Sequence, residues 1–232
     1  MEGFTYVDLY ATKGFEYLLA IVFLLTLIPF WRLLSRPAAA VSRAVRRMVP
    51  AISEWFRLPE GIYYHQGHSW AMPEGGHIVK VGLDDFAQKL VGKIDGIAVP
   101  KVGTTVNQGE KAWDLRVAST SIEMLSPVDG EVVAVNDRLI DSPDILNTDP
   151  YGDAWLMKVR VPKVSGNLKN LLRGTLAQKW MEGVRETLVG RMNYDLGLVY
   201  QDGGLPVDGM AKNIDRDHWD ELVKEFFLVS EQ

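Results

Sequence analysis

Residues 103–133 constrain this chain more than any other stretch. Gly103 and Gly109 punctuate the entry, and residues 112–118 and 122–125 flank a short polar bend, Ser119-Thr120-Ser121. Pro127 and Asp129-Gly130 then mark a turn before residues 131–135. Strand formers on either side of small polar residues, closed by a Pro and an Asp-Gly turn, read as strands folding back on each other. A chain built around such a hairpin is committed to antiparallel β structure.

Further motifs stand in order around the hairpin. They are His68-Ser69-Trp70, Val81-Gly82-Leu83-Asp84-Asp85-Phe86-Ala87-Gln88, and Pro100 with Gly103. Ser126-Pro127-Val128-Asp129-Gly130-Glu131-Val132, Asn136 and Ser142-Pro143-Asp144 follow. The series ends with Asn147-Thr148-Asp149-Pro150-Tyr151-Gly152-Asp153-Ala154-Trp155-Leu156. Together they resemble the glycine cleavage system H-protein family over roughly residues 62–161. The resemblance implies a mainly β fold, the lipoyl/H-protein-like β-sandwich known as a barrel-sandwich hybrid. It also places a short helix at residues 84–90, with Phe86 and Leu90 in the core.

One position departs from that family. The family carries Glu-Ser-Val-Lys-Ala at the hairpin tip, and its lysine receives the lipoyl group. Counting back from Ser126-Pro127 without a gap, the tip here is Arg116-Val117-Ala118-Ser119-Thr120, and Ser119 occupies the lysine position. A lipoyl amide needs a primary amine on a long stem, which serine lacks. No lysine lies between Lys111 and Lys158. No cofactor is therefore expected.

The chain has no cysteine, which excludes disulfides, thiolate nucleophiles and cysteine-bound metal centres. Residues 51–232 hold 19 Lys+Arg against 27 Asp+Glu, so this part is acidic and nucleic acid is disfavoured as a partner. Basic charge gathers instead at Arg32, Arg36, Arg43, Arg46 and Arg47, just after an uncharged apolar run at residues 17–31. With Gly14-Phe15 and Leu33-Leu34 that run approaches ~20 residues, the length of a bilayer span. Residues 1–34 are thus expected to be a transmembrane anchor, with Tyr17, Pro29, Trp31, Arg32 and Arg36 at or near its ends. The arginines place the N-terminus outside and the rest in the cytoplasm, by the positive-inside rule. This predicts a single-pass protein of the inner (cytoplasmic) membrane, with residues 35–61 as a basic juxtamembrane linker or helix.

Residues 163–232 form an α-helical C-terminal extension. Leu176, Trp180, Val184, Leu188 and Met192 recur every four residues, as on one helix face. Residues 197–213 read as loop or a short hairpin. A last helix spans about 217–228, with Asp215 or Asp217 as its cap and Trp219, Leu222, Val223, Phe226 and Phe227 on one side. Both stripes are expected to pack within the chain. As partner-docking candidates the stripes offer Trp180, Trp219, Phe226 and Phe227.

No catalytic set is found. His65-x-x-His68 lies in a strand region without a third ligand, and Asp141, Asp144, Asp149 and Asp153 lack calcium-loop spacing. The expectation is a non-catalytic, membrane-anchored accessory or scaffold subunit of a membrane complex, favouring a respiratory electron-transfer one. Its partners would be the bilayer and other subunits of that complex. Two alternatives stand: a lipoyl carrier in a glycine-cleavage-like or sulfur-metabolism system, or an assembly or regulatory factor for such enzymes.

Overall fold

The computed structural model describes residues 9–34, 55–196 and 208–229. The chain divides into two compact units, Met1–Val49 and Pro50–Gln232.

In the first unit, helix α1 spans Leu9–Leu34. Its described apolar side chains, among them Leu18, Phe23 and Leu25, are exposed. Among the described residues no helix is long and apolar enough to cross a membrane. The uncharged run between Glu16 and Arg32 is roughly 15 residues, which at ~1.5 Å each reaches about 22 Å against ~30 Å of hydrocarbon. Any span of ~20 residues that covers the run takes in at least two charged residues. This corrects the expected transmembrane anchor and, with it, the inner-membrane single-pass placement. Arg36, residues 35–54 and the side chains of Pro29, Trp31 and Arg32 lie outside the described residues.

Among the described residues the second unit carries nine strands: β1 Tyr63–Tyr64, β2 Ser69–Gly75, β3 Ile78–Leu83, β4 Gly96–Ala98, β5 Thr105–Val106, β6 Lys111–Val117, β7 Thr120–Leu125, β8 Gly130–Val135 and β9 Trp155–Arg160. Six form one antiparallel sheet in the order β1-β2-β3-β9-β8-β5, and the other three form a second in the order β4-β6-β7. In β6 the buried Trp113, Leu115 and Val117 alternate with Asp114 and Arg116. In β7 the buried Ile122 and Met124 do the same. Each such apolar side chain contributes about 1.5–3 kcal/mol when fully buried.

Helix α2, Asp85–Val91, follows β3. The Asp84 carboxylate accepts the Ala87 N–H at 2.8 Å, closing its first turn. Phe86 and Leu90 point inward and are buried. Trp70, also buried, lies against Gly82, where any Cβ would overlap the indole. The indole N–H donates to the Leu83 carbonyl at 2.8 Å and the Pro150 carbonyl at 3.0 Å. That pair ties the sheet to the loop bearing two short helices, α3 Asp137–Asp141 and α4 Ile145–Thr148. In this loop the Asp149 carboxylate accepts the N–H groups of Gly152 and Asp153 at 3.1 and 2.8 Å. This acidic residue therefore braces a turn.

The packed body begins before β1. Trp55 and Phe56 are buried, and Phe56 meets Phe86 edge-on at 5.0 Å. Beyond β9 come α5 Val164–Lys169, α6 Gly174–Leu196, α7 Met210–Ile214 and α8 Trp219–Phe227. The four-residue apolar row on α6 does not stay on one face. A row of period four rotates about 40° per step on a 3.6-residue helix, so Leu176 and Met192 lie about 160° apart. Leu176 is accordingly exposed and Met192 buried, and the inward face is Ala177, Met181, Leu188 and Met192. The extension is joined to the β domain by backbone contact. Gly92 ends α2 at φ +74°, and a Cβ there would stand 2.6 Å from Gly209 Cα. The Gly209 N–H donates to the Lys89 carbonyl at 2.8 Å. Of residues 197–213, read from sequence as loop or a short hairpin, 197–207 lie outside the described residues, while Met210–Ile214 is helix α7 rather than loop or hairpin.

Candidate functional site at the hairpin tip

The β6–β7 register pairs Arg116 with Ser121 and Val117 with Thr120, which leaves Ala118-Ser119 as a two-residue turn. Such tight turns match the twist of the strands when their first central residue has positive φ. Ala118 supplies this at φ +55°. Its N–H donates to the Asp95 carboxylate at 2.7 Å, and Asp95 N–H donates to the Arg116 carbonyl at 2.8 Å. The neighbouring strand thus holds the turn from its side. The Arg116 guanidinium lies over Gly96, whose missing side chain makes room for it.

Ser119 stands exposed at the apex. The turn falls where the ungapped count from Ser126-Pro127 places it, so Ser119 occupies the position that the resemblance assigns to the lipoyl lysine. Around it stand Thr120, Ser121 and Asp114, with Ser121 Oγ 3.4 Å from an Asp114 carboxylate oxygen. Along the hairpin itself the lysine nearest in sequence is Lys111. Lys111 lies at the far end of β6, paired with Leu125, and binds Glu123 at 2.6 Å and Asp114 at 3.2 Å. Those two carboxylates raise its pKa, Glu123 the more strongly, and so favour the charged, non-nucleophilic ammonium.

Behind the hairpin, the structure assembles a buried group that sequence reading did not single out. His68 takes φ +63° and is fully buried. Its Nδ1 lies 2.8 Å from the Asp84 carboxylate, itself fully buried. One ring face stacks on Phe86 at 4.2 Å, and Trp180 and Phe227 close in at 4.8 and 5.9 Å. His65 turns away: its Nδ1 accepts the Gly67 N–H at 3.0 Å. Burial, and then the neighbouring His68, lower the His65 pKa. His68, Asp84 and Phe86 each stand in the sequence motifs, but the His68–Asp84 contact crosses sixteen residues and leaves no local pattern that joins them.

The expected docking residues are distributed differently from one another. Phe227 is fully buried and Phe226 nearly so, which turns both toward the chain's own core rather than a partner. The reason is that α8 packs on β7, α2 and α7. Trp180 and Trp219 are half-buried, and Trp219 carries the Lys212 ammonium 4.7 Å over its ring. Neither Asp215 nor Asp217 caps α8: its N-cap is His218, with no side-chain cap bond, and the Asp215 carboxylate instead accepts the N–H groups of Asp217 and His218 in the turn before the helix.

The family model described as "Glycine cleavage H-protein" matches residues 62–184, more than half of the chain. The chain belongs to the glycine cleavage H-protein family. The match extends past Pro162 into α6, so the family's region and the extension overlap. The glycine cleavage system H protein of Marinobacter nauticus is 38% identical over 115 residues, 50% of this chain and 88% of that one. A probable glycine cleavage system H protein of Pyrococcus abyssi is 38% identical over 127 residues, 55% of this chain and 92% of that one. The crystal structure of an H protein from Mycobacterium marinum is 27% identical, with a TM-score of 0.48, covering 55% of this chain and 99% of that one. As a member of the H-protein family, the chain is a non-catalytic protein.

Proposed function

We propose that this chain is an H-protein family member that docks onto lipoate-dependent enzymes without carrying lipoate, as an assembly or regulatory factor for them. The observation that carries this reading is the tip itself. The hairpin, its turn and its register are intact, yet the apex residue is Ser119. A hydroxyl cannot form the amide that holds a lipoyl arm. The relatives' names point to glycine-cleavage-like enzymes as the class to which such a body would dock. With no membrane-spanning helix among the described residues, nothing supports a place in a respiratory membrane complex.

Carriage of lipoate is the competing reading, and Lys111 would have to serve it. Its two carboxylate partners and its position at the strand's base both oppose this.

The test has two parts. The full chain is incubated with lipoate, ATP and a lipoate ligase, and its intact mass is read. The unmodified chain is then titrated against a lipoylated H protein bound to its enzymes. No lipoyl increment together with displacement of the carrier is expected. A stoichiometric increment on the native chain would overturn the reading, as would failure to displace. Ser119→Lys is expected to remain largely unmodified as well, because Arg116 and Val117 stand where the family has Glu-Ser. Efficient lipoylation of that single variant would show that the flanking residues do not matter.

A further inference from the structure

A groove of about 520 Å³ opens between α6 and α8, within the size range of small-molecule sites. It lies behind the hairpin and is built largely from the extension. Trp180, Val184, Phe226 and Leu228 give it apolar walls, and Gln66, His68, Lys179 and Glu225 bring polar groups to it. Two of these polar groups define what the groove can hold.

The first is His68. Asp84 accepts the Ala87 N–H through one carboxylate oxygen, and its other oxygen lies 2.8 Å from His68 Nδ1. With the ring proton on Nδ1, facing Asp84, Nε2 presents a lone pair. Phe86, Trp180 and Phe227 lie about the ring at 4.2, 4.8 and 5.9 Å and Asp84 holds Nδ1, while His68 itself lines the groove. Nε2 is buried and has no hydrogen-bond partner. Buried polar atoms are rarely left in that state, and each exception calls for a reason.

The second is Lys179, whose ammonium has no partner among the described residues. Glu225, across the groove, is held by Arg191 through both carboxylate oxygens at 2.7 Å. That acid is neutralised, and Lys179 leaves the groove with an unbalanced positive charge.

We propose that this groove binds a small amphipathic anion bearing a hydroxyl: the apolar body lies against Trp180 and Phe226, the anionic end meets Lys179, and the hydroxyl donates to His68 Nε2. The site is separate from Ser119 and does not depend on the hairpin tip.

The test uses the full chain labelled with ¹⁵N-histidine and titrated with 6-hydroxy-2-naphthoate, reading the His68 Nε2 resonance. 2-Naphthoate lacks the hydroxyl and 2-naphthol lacks the carboxylate, so each removes one contact. Gly183→Leu supplies a variant that blocks the groove without harming the fold. Gly183 lines the groove, a Cβ there meets nothing within 4 Å, and leucine is the better helix former. Saturable movement of Nε2 is expected with the hydroxynaphthoate. Affinity should fall about tenfold for either truncated probe and for Lys179→Glu, the size of one lost hydrogen bond or charge contact. Gly183→Leu should abolish binding while leaving the melting temperature unchanged or raised. A stationary Nε2 at millimolar probe would overturn the proposal. So would equal binding to Gly183→Leu, or equal binding of all three naphthalenes.

Discussion

Phe227→Ala tests whether the C-terminal extension belongs to the core of the second unit. Phe227 is fully buried in the last turn of α8, with its ring 5.9 Å from that of His68. Its carbonyl comes so close to Gly67 that a Cβ there would stand 2.8 Å away. Truncating a buried phenylalanine costs about 3–5 kcal/mol, the sum of lost transfer energy and the cavity left behind. With a urea slope of about 2 kcal/mol/M, the midpoint should fall by roughly 1.5–2.5 M. The assay is urea unfolding of the full chain, followed both by far-ultraviolet circular dichroism and by tryptophan fluorescence. Trp219→Ala is the control. That ring is half-buried and loses chiefly its contact with Lys212, so its cost should stay below about 1.5 kcal/mol. A Phe227→Ala cost under ~1 kcal/mol, or one equal to that of Trp219→Ala, would refute the claim that α8 completes this core.

Two further outcomes are expected. Gly92→Ala places a Cβ against the backbone of Gly209 at a φ that alanine resists, and neither backbone has room to yield. A loss of about 2 kcal/mol or more, with faster proteolysis between α6 and α8, is expected; wild-type stability would show that the contact is loose. Glu74 is bound by Lys158 at 2.7 Å and Lys80 at 2.8 Å, and hydrogen bonds from these lysines, Lys158 first, lower its pKa from 4.5. A carboxyl with a depressed folded pKa stabilises the fold above its unfolded value and loses that contribution as pH falls through the folded one. Glu74→Gln should therefore narrow the stability gap between neutral and acid pH, measured by urea midpoints from pH 7 to pH 3. An unchanged pH profile would remove Glu74 from the acid response.

The hairpin and its surroundings were legible because their signals are local. Alternating Trp113, Leu115 and Val117, the Ser126-Pro127 marker and the Asp129-Gly130 turn each act within a few residues. Together they located the apex at Ser119. The α6 stripe was half legible: a four-residue spacing names a helix, but its drift hides which end is buried, and Leu176 proved to be outside. The N-terminal run misled because the count needed for a membrane span included Glu16 and Arg32. The His68 group was illegible for a different reason. Its partners Asp84, Phe86, Trp180 and Phe227 come from three distant parts of the chain, and only folding brings them together. Phe226 and Phe227 looked like docking anchors because an amphipathic helix presents the same pattern whether its apolar side meets a partner or its own domain.

The stacking of His68 near Phe227 also sets a timetable. The histidine is made long before the phenylalanine, so the ring's surroundings stay incomplete until α8 has left the ribosome. Contacts so far apart in sequence form slowly, because a long loop must close first. Until then Phe86 and the back of β7 face water. A product truncated between β9 and α8 would keep the strands but lack the helix that covers this apolar wall, the type of surface that chaperones and proteases recognise. Removing α8 therefore changes what the rest of the second unit shows to solvent, and not only how stable it is.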